Sequence, residues 1–258
     1  GLQTFPEQYS EIAPLLTMAQ WAWHTFPNPE GYTEKSGLTK VPVAGRGEQS
    51  YAWMKSGTGS TDNAADTWLR ANPHRFSLAR ISLALADGTP LDFSKVTNIR
   101  QKLDMWSGVL TSNFSYDGNP ITVSTRVHPT LDMVMVDVFS PKLKGLGVRV
   151  RYPAVNPAIN PDPTTFDAAG KQSVTVLSQA QGRTTLRRTI DEASYYSAIT
   201  SNGAISRAGD ADFRTFGAGD SLKVMVGFDR SEAPAAAPAY ADGVRAVAAH
   251  WQDFWKSG

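Results

Sequence analysis

Short stretches in which apolar and polar residues alternate recur from Phe76 onward, with turn signals between them. A period of two puts alternate side chains on opposite faces of a β-strand. We therefore expect strands over 76–85, 109–116, 121–128, 133–139, 148–152, 173–177, 184–190, 194–200 and 222–228. About ten strands are too many for one small sheet and suit two packed ones. The sequence predicts an all-β fold, a large antiparallel β-sandwich.

The pair Asp117-Gly118 predicts a tight hairpin between two of these strands. A two-residue hairpin turn needs positive φ at both positions, which Asp and Gly tolerate. The strand that follows must pair back antiparallel. We expect Ile121 and Val123 on its core face and polar residues on the other face.

A helix of about five turns is expected to close the chain. The apolar residues there stand at helical spacing: Tyr240, Val244, Val247, Trp251 and Trp255. The stripe is most aromatic at its end, where a free terminus would fray in water. Either this stripe packs on the sandwich, or Trp251, Phe254 and Trp255 are candidate residues for docking a domain that should follow.

The amino-acid composition excludes several classes of function. The 258 residues carry a net charge of +1 and no cysteine. A balanced charge gives no basic field for nucleic acid or an anionic membrane, and no run is long and apolar enough to span a bilayer. The lack of cysteine removes disulfides, thiolate nucleophiles and zinc-thiolate sites.

The sequence contains no motif of a catalytic, metal or cofactor site. The histidines His24, His74, His128 and His250 are far apart in the sequence, and no nucleotide-binding or nucleophile-elbow motif is present. We predict no cofactor and no metal ion, although an oxygen-ligand calcium site stays open. The least favoured hypothesis is a self-contained sandwich enzyme that uses a pair such as Asp104 and His128.

Tryptophan is the most informative residue type. Trp21, Trp23 and His24 belong to the irregular segment WAWHTFPNPEGY, and Trp53 follows further on. Sugar rings stack on indoles while polar neighbours hold their hydroxyl groups. We take these four residues as candidates for carbohydrate binding, although aromatic residues more often fill cores and anchor loops.

Several stretches together resemble a known family. TMAQWAWHTFPNPEGY, NPHRFSLARISLAL, RQKLDMWSGVLTSNFSYDG, TRVHPTLDMVMVDV and HWQDFWKSG resemble, in that order, the N-terminal region of bacterial six-hairpin glycosidases related to glycoside hydrolase family 65. The resemblance spans nearly the whole chain. It implies a β-supersandwich, followed through a linker helix by an (α/α)6 barrel that carries the catalytic carboxylates.

On this basis we expect a sandwich over 1–232 and a linker helix over 233–258 that leads to the barrel. The parent protein would be a periplasmic or secreted glycoside hydrolase that degrades a polysaccharide. This chain alone would have no catalytic residue, and its partners would be the barrel, a carbohydrate and, as a further candidate, a second copy in a homodimer. The alternative is a free-standing carbohydrate-binding module.

Overall fold

The computed structural model describes residues 19–51, 64–141, 146–155, 166, 172–234 and 236–257. Trp53 lies outside these residues, so its predicted role in carbohydrate binding has no structural counterpart here.

The described elements are sixteen strands and two α-helices. In chain order they are β1 (Trp23–His24), β2 (Thr39–Val43), β3 (Gly47–Tyr51), α1 (Ala64–Ala71), β4 (His74–Arg75), β5 (Arg80–Ala84), β6 (Val96–Asp104), β7 (Val109–Tyr116), β8 (Asn119–Val127), β9 (Met133–Phe139), β10 (Gly147–Arg151), β11 (Gln172–Ala180), β12 (Arg183–Ile190), β13 (Ala193–Ser201), β14 (Ala204–Gly209), β15 (Asp212–Phe216), β16 (Ser221–Asp229) and α2 (Tyr240–Ser257). A 3₁₀ turn, Phe93–Lys95, precedes β6.

Two antiparallel sheets form the body of the protein. The larger has eight strands in the order β11-β12-β13-β16-β9-β8-β7-β6, and the smaller has four in the order β14-β15-β10-β5. Side chains of both sheets meet in one core, with Val148, Val150 and Phe213 from the smaller sheet and Leu186 and Ile199 from the larger. The fold is the all-β sandwich that the alternating pattern predicts, with a C-terminal helix.

Strand β9 is apolar at six of its seven residues, because both of its faces are covered over most of its length. Val134, Val136 and Val138 belong to the core of the sandwich. Met133 and Met135 belong to a second cluster, which also contains Val247 of α2. The helix therefore packs on the outer face of the larger sheet, and this explains why its apolar stripe is needed.

The predicted hairpin is confirmed. Asp117 and Gly118 adopt φ of 49° and 77°, and Tyr116 pairs with Asn119 on either side of them. Ile121 and Val123 are buried as expected. Toward the end of β8 the pattern breaks down, because Val127 is 60% exposed although it lies on the same face.

The segment LDMWSG spans the end of β6 and the turn after it. Strand β6 ends at Asp104, and the next four residues form the turn to β7. Met105 and Trp106 are therefore exposed at the tip of a hairpin. The turn is closed by the Asp104 carboxylate, which accepts hydrogen bonds from the main-chain N–H of Trp106 and the hydroxyl of Ser107.

Candidate functional site

The first candidate site is a cleft beside the short strand β1. It has a volume of about 520 Å³ and lies between β1, the turn that joins β12 to β13, and the residue after β16. The side chains that define it, here called the Trp23 cleft, are Trp21, Trp23, Glu192, Ser194, Tyr195 and Arg230.

One wall of the Trp23 cleft is fixed by a hydrogen bond and by ring packing. The Trp21 indole Nε1–H donates to the Asp132 carboxylate at 2.7 Å, and its ring lies 6.0 Å from the Tyr195 ring. Tyr195 is fully buried, and its hydroxyl donates to the carbonyl oxygen of Leu78 at 2.6 Å. Trp21 therefore serves as a rigid, half-buried wall.

Trp23 is the exposed ring of the cleft. Its side chain is 50% exposed, and the Arg75 guanidinium lies 5.1 Å from the ring centroid. Arg75 is also the main-chain partner of Trp23 in the pairing of β1 with β4. The cation–π contact therefore holds an aromatic surface at the mouth of the cleft.

His24 points the other way and is buried, so the structure separates it from the two tryptophans with which we grouped it. Successive side chains of a strand point to opposite faces, which explains the separation. The His24 Nε2 lies 3.1 Å from the Asp191 carboxylate, and its ring contacts Phe26 and His74. His24 is thus a structural residue beneath the cleft.

The buried His24 and the half-buried His74 lie opposite each other in the pairing of β1 with β4. Burial lowers the pKa of His24, and the adjacent Asp191 acts in the opposite direction. Burial also lowers the pKa of His74, and the neighbouring His24 adds to that effect. Both rings are therefore neutral in the folded protein near neutral pH.

The second candidate site is a groove between the last turns of α2 and the ends of β6, β7 and β8. It has a volume of about 700 Å³. Its lining, here called the aromatic groove, is largely apolar and includes Leu103, Met105, Leu110, Val127, Phe254 and Trp255.

The helix end is anchored at the turn between β6 and β7. Trp251 packs on Gly108 so closely that an added Cβ would lie 2.0 Å from its ring. The Trp255 indole Nε1–H donates to the carbonyl oxygen of Met105 at 2.8 Å. The structure thus brings together the three residues predicted for docking, because Phe254 contacts both indoles edge to face.

The groove leaves large apolar side chains in contact with solvent. The exposed fractions are 59% for Leu103, 58% for Met105, 60% for Val127 and 52% for Phe254. Contiguous exposed apolar surface of this kind usually marks an interaction site.

Asp104 and His128 each form hydrogen bonds to groups in their own turns. Hydrogen bonds from Ser107 and then from the main chain lower the pKa of Asp104, which closes its own turn. The His128 Nδ1 faces the main-chain N–H groups of Thr130 and Leu131 at 3.3 and 3.2 Å. Each side chain stabilises a turn, and this gives no support to an acid–base pair.

Glu192 and Arg230 of the Trp23 cleft were not among the site residues predicted from the sequence. They lie 38 positions apart, and the pairing of β13 with β16, which sets Tyr196 opposite Asp229, brings their strand ends together. No spacing rule marks such a pair, because their proximity depends on which strands are neighbours.

Within the described residues, no group of three or more histidine and acidic side chains is placed to hold a metal ion. No helix of the described part is long and apolar enough to cross a membrane.

Comparisons with known proteins find similarity at the level of structure. No protein-family model and no curated protein sequence matches the chain. A putative kojibiose phosphorylase from the human microbiome is similar over 70% of this chain, with 11% identity and a TM-score of 0.49. A bacterial glucoamylase, solved in complex with acarbose, is similar over 70% of this chain, with 11% identity and a TM-score of 0.46.

This chain covers 28% of the phosphorylase and 32% of the glucoamylase, so it spans about a third or less of either protein. At 11% identity no residue of either enzyme can be transferred to it.

Proposed function

We propose that this chain is the accessory β-sandwich of a larger carbohydrate-degrading enzyme, a glycoside hydrolase, and that the aromatic groove is the surface on which the catalytic domain packs. The sandwich would occupy residues 1–232, and residues 233–258 would connect it to that domain. Catalysis would belong to the (α/α)6 barrel.

The observation that carries the proposal is the aromatic groove. Leu103, Met105, Val127 and Phe254 are each more than half exposed and line one continuous depression. Leaving such side chains in water forgoes roughly 25 cal/mol per Å² of apolar surface, which a packed partner would recover. Contiguous exposed apolar patches commonly mark surfaces on which another protein surface packs.

The rigidity of the helix end supports the same function. A docking surface must hold its shape, and the Trp255 bond to Met105 and the packing of Trp251 on Gly108 fix the last turns of α2. A helix anchored in this way can transmit the orientation of the sandwich to the domain that follows.

The second candidate function is a module that binds a carbohydrate without a catalytic domain. The observation that favours it is the Trp23 cleft, which lies apart from the aromatic groove and shares no lining residue with it. A free-standing module would leave the groove exposed.

The first test is the gene sequence beyond the codon for Gly258. The proposal predicts that the reading frame continues for several hundred codons and encodes paired amphipathic helices with facing carboxylates. A stop codon directly after Gly258 would contradict the accessory-domain function and leave the carbohydrate-binding module as the better reading.

A further inference from the structure

The Trp23 cleft differs in chemistry from the aromatic groove. It combines two indole rings with a carboxylate, a guanidinium and a hydroxyl group, from Glu192, Arg230 and Ser194. Its volume of about 520 Å³ falls in the range of small-molecule sites, about 300 to 1,000 Å³. A mixed lining of this kind fits a ligand with both apolar faces and many hydroxyl groups.

The stacking surface comes from Trp23. An indole that is 50% exposed and held from one side by Arg75 offers a flat apolar area at little cost in side-chain entropy. The C–H face of a pyranose ring is a matching apolar plane. Trp21 forms the inner wall and limits how deeply a ring can enter.

The polar residues favour a neutral ligand. Glu192 can accept hydrogen bonds from hydroxyl groups, and Arg230 can donate to hydroxyl oxygens. Their charges are opposite, so these two side chains together give no net attraction for an anion or a cation. A neutral ligand fits this pair best.

The cleft is also preformed. Its floor is Tyr195, which is bonded to Leu78, and its inner wall is Trp21, which is bonded to Asp132. Beneath Trp23, the buried His24 lies against Asp191, the residue before Glu192. These contacts fix the Trp23 ring and the Glu192 carboxylate relative to each other. A preformed site of this kind lowers the entropy cost of binding.

We propose that the Trp23 cleft binds one unit of a neutral oligosaccharide, with a sugar ring stacked on Trp23 and its hydroxyl groups held by Glu192 and Arg230. The inference deepens the proposed function, on which it rests for the carbohydrate-related role of the domain. It concerns a separate surface, so the proposal for the Trp23 cleft and the proposal for the aromatic groove can be disproved independently.

The test is isothermal titration calorimetry of the 258-residue chain with four neutral tetrasaccharides: maltotetraose, cellotetraose, xylotetraose and mannotetraose. The acidic tetragalacturonate serves as a fifth probe. Each is added to about 20 mM, since a few hydrogen bonds and one stacked ring correspond to a Kd near the millimolar range. We expect saturable binding of at least one neutral sugar, tighter than that of tetragalacturonate.

Two variants locate the site. Trp23→Ala should weaken binding about tenfold, and Glu192→Gln, an exposed change that leaves the fold intact, about fivefold. The matched control is Trp106→Ala, because Trp106 is also 50% exposed but lies at the β6–β7 turn, outside the cleft. Circular dichroism confirms that each variant is folded.

Several results would overturn the proposal. Binding of none of the neutral sugars, tighter binding of tetragalacturonate, or an unchanged Kd in both cleft variants would each do so. An equal loss in the Trp106→Ala control would place the sugar elsewhere. None of these results bears on whether the aromatic groove docks a second domain.

Discussion

Trp255 donates its indole N–H to the carbonyl oxygen of Met105 across 2.8 Å, although 150 residues separate the two. The bond joins the last turn of α2 to the tip of the β6–β7 hairpin. It explains why a helix end rich in exposed aromatic side chains is ordered rather than frayed. The aromatic groove is therefore a built surface, whose two sides come from distant parts of the sequence.

Gly108 is the residue on which this anchoring depends. An alanine there would have the same strained φ as one at Gly118, but only at Gly108 would its Cβ collide with the Trp251 ring. We expect Gly108→Ala to lower the free energy of unfolding by about 1 to 3 kcal/mol more than Gly118→Ala does. Urea denaturation of the two variants measures the difference. Equal losses would show that the helix end can shift at no cost.

Arg188 should be essential for stability and irrelevant to docking. It is 2% exposed, and its guanidinium donates to three main-chain carbonyl oxygens and to the Gln172 side chain. Arg188→Met removes these four hydrogen bonds, so we expect the free energy of unfolding to fall by on the order of 3 kcal/mol. The control is Arg187→Met, an exposed neighbour on the same strand, which should change stability by less than about 0.5 kcal/mol. Similar urea midpoints for both variants would contradict this.

Acid should destabilise the protein through its buried histidines. Burial lowers the pKa values of His24 and His74 in the folded state, so below about pH 6.5 the unfolded chain binds protons that the folded chain does not. Their stabilising contribution is complete above that pH and declines as the pH falls. We expect the urea midpoint to drop between pH 7.5 and 5.5.

His74→Asn should reduce that drop, because one of the two rings is removed. Part of the drop should remain, since burial also lowers the pKa of His128. The exposed His250 provides the control, and His250→Asn should keep the acid response of the unchanged protein. If the urea midpoint of His74→Asn drops with pH as much as that of the control, His24 and His74 do not cause the acid destabilisation.

The sequence predicted the elements whose side chains alternate between core and solvent. The β7–β8 hairpin is the clearest case, because Asp117 and Gly118 have the backbone angles that their residue types favour. Strand β6 was missed for the opposite reason. It is an edge strand with seven of its nine residues exposed, so it has no buried face to produce an alternating pattern.

The positions of the candidate site residues in the fold were predicted in part. The helical spacing of Trp251 and Trp255 was enough to place both on one face, and the structure confirms that they lie together. The grouping of His24 with Trp21 and Trp23 overlooked the strand period, which turns His24 inward. Glu192 and Arg230 could not be found, because the pairing of β13 with β16 is a property of the sheet order.

The aromatic groove as a docking surface is the central claim, and hydroxyl-radical footprinting tests it most directly. The product of the complete gene is compared with the 258-residue chain, and oxidation is quantified at Met105, Phe254 and Trp255, with Trp23 as the exposed reference. The proposed function predicts that the three groove residues are several-fold less oxidised in the complete product, while Trp23 is unchanged. Equal oxidation of the groove residues in both proteins would contradict it.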